Sequence, residues 1–154
     1  MKLFKFLVIF LLAILSDDIK AQSEAETIDW IRSVIQTYGT GQLTFDDGVM
    51  TYDDPYDPSQ FHTIHQADLG NMGGLKMGGA TQGYIGVYFT CKTGECVTVK
   101  IRLADNLNDT FDEFQNNKYL IQLNGIPTDL QGRLVKAFNH LIKLHGGSVI
   151  DGTF

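Results

Sequence analysis

The stretch Leu43-Thr44-Phe45-Asp46-Asp47-Gly48-Val49-Met50-Thr51-Tyr52 decides the fold class. Leu43 and Phe45 alternate with polar neighbours before the centre, and Met50 and Tyr52 alternate after it, the period-two pattern of strands that bury one face. Between them Asp46, Asp47 and Gly48 supply an Asp-Gly turn, which suits a two-residue hairpin because such turns need positive φ at the central positions. The chain therefore begins its sheet antiparallel.

On the N-terminal side, Ser23 and Glu26 have the spacing of a capping box, and Ile28, Ile31, Ile35 and Tyr38 recur at helical spacing until Gly39. This predicts an amphipathic helix, with Trp30 in the core or at its edge. Further upstream, Lys2 and Lys5 precede an apolar run from Phe6 to Leu15, the charged start and apolar centre of an export signal. Ten such residues span about 15 Å as a helix, half of the roughly 30 Å of a bilayer core, so the expectation is a cleaved signal over residues 1–21. Cleavage is placed after Ala21, with a cut after Ser16 as the alternative. No cysteine precedes Cys91, which argues against a lipidated N-terminus. The expected compartment is the periplasm or the exterior.

On the C-terminal side, Pro55 and Pro58 predict a loop over Asp53–Gln60, and Phe61–Leu69 reads as a strand. Seven glycines among the seventeen residues Gly70–Gly86 predict a long mobile loop. A phosphate cradle is rejected there because Lys76 is followed by Met77 and two glycines, not by Ser or Thr at a helix start. Tyr84–Thr90 and Val97–Arg102 read as strands on either side of Cys91 and Cys96, the only cysteines. Four residues including Gly94 separate the two thiols, which predicts a disulfide across a hairpin, a local staple worth about 2 kcal/mol. A redox pair usually has two intervening residues at a helix start, and a zinc site needs further ligands nearby.

Asp105–Asn117 reads as a polar loop in which Phe111 and Phe114 form a helical turn, and Asn108-Asp109-Thr110 matches a glycosylation triplet that is too common to carry weight. Tyr119–Leu123 is a short strand. Thr128 and Gln131 suggest a second capping box, after which Leu130, Leu134, Phe138, Leu141 and His145 line one helix face until Gly146 and Gly147. Gly132 weakens the first turn of this helix by up to about 1 kcal/mol relative to Ala. The segment 148–154 reads as a frayed tail.

The order is helix, five to seven antiparallel strands, helix. That is an α+β class, with a bent sheet or partial barrel capped by the C-terminal helix in one domain over residues 22–147. In its element pattern over residues 41–146, hairpins followed by an amphipathic helix, the chain resembles the pleckstrin-homology-like superfold. The resemblance implies a C-terminal helix that plugs one end of a bent barrel. A helix-first cone of the cystatin or nuclear-transport-factor-like kind is the rival topology. Either superfold hosts many functions, so no activity follows.

The first 21 residues hold three of the 12 Lys and Arg and two of the 18 Asp and Glu, leaving nine basic against 16 acidic residues and a net charge of −7. Scattered cations in an acidic chain argue against nucleic acid and anionic membranes as partners. His62 and His65 are three apart on a strand and so point to opposite faces, which prevents joint metal ligation. His140 and His145 are about 140° apart around their helix, and His145 is placed to complement the terminal carbonyls. Asp53, Asp54 and Asp57 offer oxygen ligands, but their spacing fits no EF-hand and a solvated acidic loop is the plainer reading. There is no Gly-x-Ser-x-Gly nucleophile context. No cofactor or metal is assigned.

Three functions compete on this reading. The first is an exported non-catalytic domain that binds a protein, peptide or small ligand, with His62, His65, Asp53, Asp54 and Asp57 as its candidate contacts. The second is a cone-shaped enzyme with His62 or His65 beside an Asp as general base. The third is an exported inhibitor presenting the Gly70–Gly86 loop.

Overall fold

A computed structural model describes residues 23–57, 61–79, 84–103 and 111–148. The signal segment, the glycosylation triplet and residues 149–154 of the tail lie outside the described residues. Helix α1 (Glu24–Tyr38) opens with the expected capping box: Ser23 Oγ accepts from the Glu26 N–H at 3.2 Å, and Glu26 accepts from the Ser23 N–H at 2.9 Å. Two of the four N–H groups that a helix start leaves orphaned are thereby satisfied. These backbone and hydroxyl bonds hold the Glu26 carboxyl below its usual pKa range.

Eight antiparallel strands follow, one more than the upper expectation: β1 (Gln42–Asp46), β2 (Val49–Asp57), β3 (Phe61–Asp68), β4 (Met72–Gly79), β5 (Tyr84–Cys91), β6 (Val97–Leu103), β7 (Asp112–Asn116) and β8 (Lys118–Asn124). Helix α2 (Thr128–Leu144) closes the order, so the protein is α+β. The strands form two open sheets, one ordered β1-β2-β3-β6-β7 and the other β4-β5-β8.

The two sheets share three strand-to-strand passages. β3 runs into β4 through a 3-10 turn at Leu69–Asn71, β5 into β6 through Lys92–Cys96, and β7 into β8 through Asn117 alone. The passages lie side by side, because the Lys92 N–H donates to Asn71 O at 2.9 Å and the Cys91 N–H to Asn117 O at 3.1 Å. In effect three long neighbouring strands all bend at one level, which folds the sheet over a common core. His65 of β3 and Tyr119 of β8, from different sheets, meet edge to face with ring centroids 5.4 Å apart.

The β1–β2 turn is as the sequence implies: Asp46 pairs with Val49, and Asp47 and Gly48 take φ of 46° and 78°. Four other segments differ from expectation. The Pro55-containing stretch is not a loop, since β2 extends to Asp57 through an irregularity between Asp54 and Asp57 that takes up the proline. Most of the glycine-rich stretch is strand, because Met72–Gly79 pairs with β5 through one irregularity at Gly73; residues 80–83 of it lie outside the described residues. Where two glycines are paired, a large side chain covers them: Gly86 pairs with Gly78, and a Cβ at Gly86 would lie 2.5 Å from the Tyr88 ring. Asp112–Asn116 is strand β7, so Phe114 makes no helical turn, and its side chain is 46% exposed.

The fourth difference concerns the cysteines. Cys91 and Cys96 are bonded at 2.05 Å, but β5 and β6 do not form a hairpin. Both pair with the β7–β8 strand in succession, Cys91 donating to Asn117 O and Cys96 to Asn116 O, each at 3.1 Å. The disulfide therefore stitches the two ends of a looped-out excursion along one interrupted strand.

Both helices pack inside the bend. Ile31, Val34 and Ile35 of α1 and Leu134, Phe138, Leu141 and Ile142 of α2 are buried with Met50, Tyr52, Val87, Phe89, Tyr119 and Ile121 of the sheets. The expected stripe on α2 is thus core. Its capping differs: Pro127 is the cap, no side chain bonds the first turn, and Gln131 reaches Ile126 O at 3.2 Å instead. Trp30 is partly buried against the core, with the Arg133 guanidinium 5.2 Å from its ring. His145 serves the α2 carbonyls through its backbone N–H, which donates to Leu141 O at 3.1 Å, while its side chain turns elsewhere: Nε2 lies 2.9 Å from Glu24 Oε1 and ties the end of α2 to the start of α1.

Candidate functional site

The alternation of β2 and β3 divides the sequence candidates between two faces. Asp53 pairs with Ile64 and His62 with Arg102, and all four lie on the outer face. There His62 Nε2 is 2.5 Å from Asp53 Oδ1, and its Nδ1 is 3.3 Å from Arg102 Nη2. A guanidinium can only donate, so Nδ1 accepts and the imidazole proton sits on Nε2, directed at Asp53. Both ring nitrogens are thus engaged. Phe111 closes the group, with its ring 5.4 Å from that of His62 and 4.8 Å from the Arg102 guanidinium.

Asp54 and His65 lie on the inner face. His65 pairs with Tyr52 on one side and Val99 on the other, and Asp54 pairs with Thr63. Tyr52 Oη accepts from the Gly41 N–H at 2.8 Å and lies 3.0 Å from Thr40 Oγ1, which also serves the Asp54 carboxyl. Three polar atoms in this region are buried with no hydrogen-bond partner: Asp54 Oδ1, His65 Nδ1 and Tyr119 Oη. Burial pushes the Asp54 carboxyl above its usual range, with Thr40 opposing and Asp53 adding to the shift. Burial likewise lowers the His65 pKa and raises that of Tyr119. All three environments favour neutral forms. Asp57 ends β2, and its side chain lies outside the described residues.

Sequence reasoning singled out His65 and Asp54 but missed Tyr52, Thr40 and Tyr119. Tyr119 was legible as a strand residue, yet nothing in its neighbours signals that its hydroxyl is buried unpaired. Among the described residues, no group of three or more His, Cys, Asp or Glu is placed to hold a metal ion.

A second concavity was not foreseen. A cavity of about 490 Å³ lies between the far end of β4 and β5 and the first two turns of α2, lined by Met77, Gly78, Gly79, Ile85, Thr128, Gln131, Gly132 and Val135. Its apolar walls come from Met77, Ile85 and Val135, with Thr128 and Gln131 as polar groups at the rim. Gly79 and Gly132 border it, and a Cβ at either would meet no atom within 4 Å. Gly132 is therefore not needed for helix packing. The space beside it is open, which is the only local consequence of placing glycine in that turn.

No family model, curated protein or solved structure matches the chain.

Proposed function

We propose that the chain is an exported, non-catalytic domain that binds a small, largely apolar ligand in the cavity between β4, β5 and α2. The observation that carries this reading is the cavity itself. Its size falls within the range of small-molecule sites, roughly 300–1,000 Å³, and a mostly apolar lining with a few polar groups is the composition such sites have. Glycines in its walls admit a ligand close to the backbone. Export is supported by the apolar leader Phe6–Leu15 and by the Cys91–Cys96 bond, which is compatible with an oxidising compartment. Among the described residues no helix is long and apolar enough to cross a membrane.

The test uses N-phenyl-1-naphthylamine, an uncharged fluorophore that brightens in apolar surroundings. Saturable brightening is expected with the parent protein and is expected to be lost in Gly132→Leu, which fills the open space beside the helix. Leucine is favoured over glycine in a helix by about 1 kcal/mol, so this variant should melt no lower than the parent. Equal probe binding by the parent and Gly132→Leu refutes the assignment of the cavity.

A further inference from the structure

Among the described residues, two open sheets leave four strand edges, and three of them are guarded. An open edge presents unpaired N–H and C=O groups, which folded proteins blunt with charge, proline or a covering element. β4 lies against α2, β8 is bridged to Gly39 through Leu123, and β7 carries Asp112 and Glu113. β1 ends the five-stranded sheet with Gln42, Leu43, Thr44 and Phe45, and its one charge, Asp46, adjoins the turn. Beside this edge lies an open groove of about 650 Å³, walled by Arg32 and Gln36 of α1, by Gln42, Leu43 and Thr44, and by Pro55 of β2. It shares no lining residue with the apolar cavity.

The hairpin fixes which backbone groups face the groove. A two-residue turn closes on a hydrogen-bonded pair, here Asp46 with Val49, and bonded and non-bonded pairs then alternate along the ladder. Thr44 and Gln42 therefore direct their N–H and C=O groups to β2, and Leu43 and Phe45 direct theirs outward. In keeping with this, Arg32 Nη2 reaches Phe45 O at 3.5 Å from outside the ladder. Side chains obey the strand alternation: Leu43 and Phe45 turn inward under α1, and Gln42 and Thr44 are exposed.

We propose that this groove binds an extended peptide segment, added antiparallel to β1 as a further strand, with an acidic side chain that meets Arg32. Strand addition of this kind draws affinity from main-chain bonds and specificity from alternate side chains. The ligand residue opposite Leu43 exchanges two backbone bonds with it, and the residue two positions earlier lies opposite Phe45. Both turn their side chains to the α1 side, where Gln36 and Arg32 stand. Arg32 is the one charged residue among those lining the groove, and its contacts are long: Phe45 O at 3.5 Å, and Asp29 Oδ1 at 3.7 Å from a side chain that is 78% exposed. A surface pair of that kind contributes little, and a bidentate ligand carboxylate can replace it. A cation with no carboxylate in the same walls favours acidic over basic segments. β1 continues past Phe45 to Asp46, so the carboxylate belongs to a side chain within the added strand and not to a chain terminus.

The test uses the capped peptide Ser-Thr-Glu-Thr-Gln-Thr-Ser, whose acid and amide are spaced to face Arg32 and Gln36. Backbone amide signals of the whole protein are followed by nuclear magnetic resonance. Saturable shifts are expected at Leu43 and Phe45 as the peptide is raised to about 5 mM, a range that covers weak affinities. Exchanging the peptide's glutamine for proline removes the N–H donated to Leu43 O and should abolish the shifts. Exchanging its glutamate for glutamine, or making Arg32→Gln in the protein, should each weaken binding about tenfold, and both together should weaken it no further than either alone. Gly132→Leu should leave the peptide response intact, so the failure of one site is distinguishable from the failure of the other. The proposal is overturned if Leu43 and Phe45 show no saturable shift, if the proline peptide binds as the parent peptide does, or if Arg32→Gln binds the acidic peptide unchanged. Shifts at these two amides that grow with protein concentration in the absence of peptide also overturn it, because the partner of β1 would then be a second copy of this chain.

Discussion

Truncating Phe138 to Ala removes the ring that joins α2 to the sheets. Phe138 is 0% exposed, and its ring stands edge-on to Phe89 with centroids 5.0 Å apart and planes at 84°. Phe89 meets Tyr119 in the same way at 5.4 Å, so three rings run from the helix to the bend. The substitution loses the transfer energy of the ring and leaves a hole that neighbours held by two sheets cannot close. Buried Phe→Ala changes of this kind cost about 3–5 kcal/mol, of which the aromatic pair contributes about 0.5–1.5 kcal/mol. Against a total stability of about 5–15 kcal/mol, that is a large fraction. At roughly 3–5 °C per kcal/mol for a domain of this size, the melting temperature should fall by about 10–20 °C. Urea unfolding should show a lower midpoint at an unchanged slope. Phe114→Ala is the control, since that ring is 46% exposed and its loss should cost no more than about 0.5 kcal/mol. If Phe138→Ala melts within about 3 °C of the parent, or no lower than Phe114→Ala, the packing described for α2 is wrong.

Two further predictions concern the staple and the buried titrating groups. Replacing both Cys91 and Cys96 by Ser should cost about 2 kcal/mol in urea unfolding, because the closed loop spans only five positions, and a loss above about 4 kcal/mol would contradict the view of the bond as a local stitch. For His65, burial lowers the pKa below 6.5, so in the window just below that value the unfolded chain binds a proton that the folded chain refuses. Stability must therefore fall as the pH drops through that window, and His65→Phe should flatten the fall in thermal scans taken from about pH 7.5 to pH 5. Asp54 has the opposite sign: its pKa is raised above 3.8, the folded chain holds the proton more tightly, and stability falls as the pH rises through the raised value. Asp54→Asn should therefore gain stability at neutral pH, and a loss there would show that the carboxylate has a compensating partner.

The elements that the sequence revealed most directly are those whose pattern is local. The Ser23–Glu26 cap, the Asp47–Gly48 turn and the Leu134–Phe138–Leu141 stripe depend on residues within one or two turns of each other, and their geometry follows from them. The missed elements depend on partners far along the chain. Met72–Gly79 has too little side-chain signal to read as a strand, and it becomes one because β5 supplies a ladder interrupted only at Gly73 and Tyr88 lies over Gly86. Pro55 suggested a break, but an irregularity in the β2–β3 register accommodates it. The cysteine spacing gave the correct bond for a different reason: the partner of both strand ends is the β7–β8 strand, which no reading of residues 91–96 alone could supply.

The same distinction governs the sites. Strand parity placed His62 and His65 on opposite faces from the sequence alone, but it could not say which face is concave. That depends on the bend shared by three strand passages, two of which are short turns and one a single asparagine. Once the bend is formed, parity has consequences for chemistry. His62 is placed outside, where Asp53 and Arg102 occupy both its nitrogens, and His65 inside, where Nδ1 has no partner. Of two histidines that look alike in the sequence, one is engaged at the surface and the other is buried with a ring nitrogen unpaired. The glycines act in a similar way at the other end of the molecule, where absent side chains on β4 and α2 leave open space instead of core. The cavity thus arises from what long-range pairing leaves unfilled, which is why no local motif announces it.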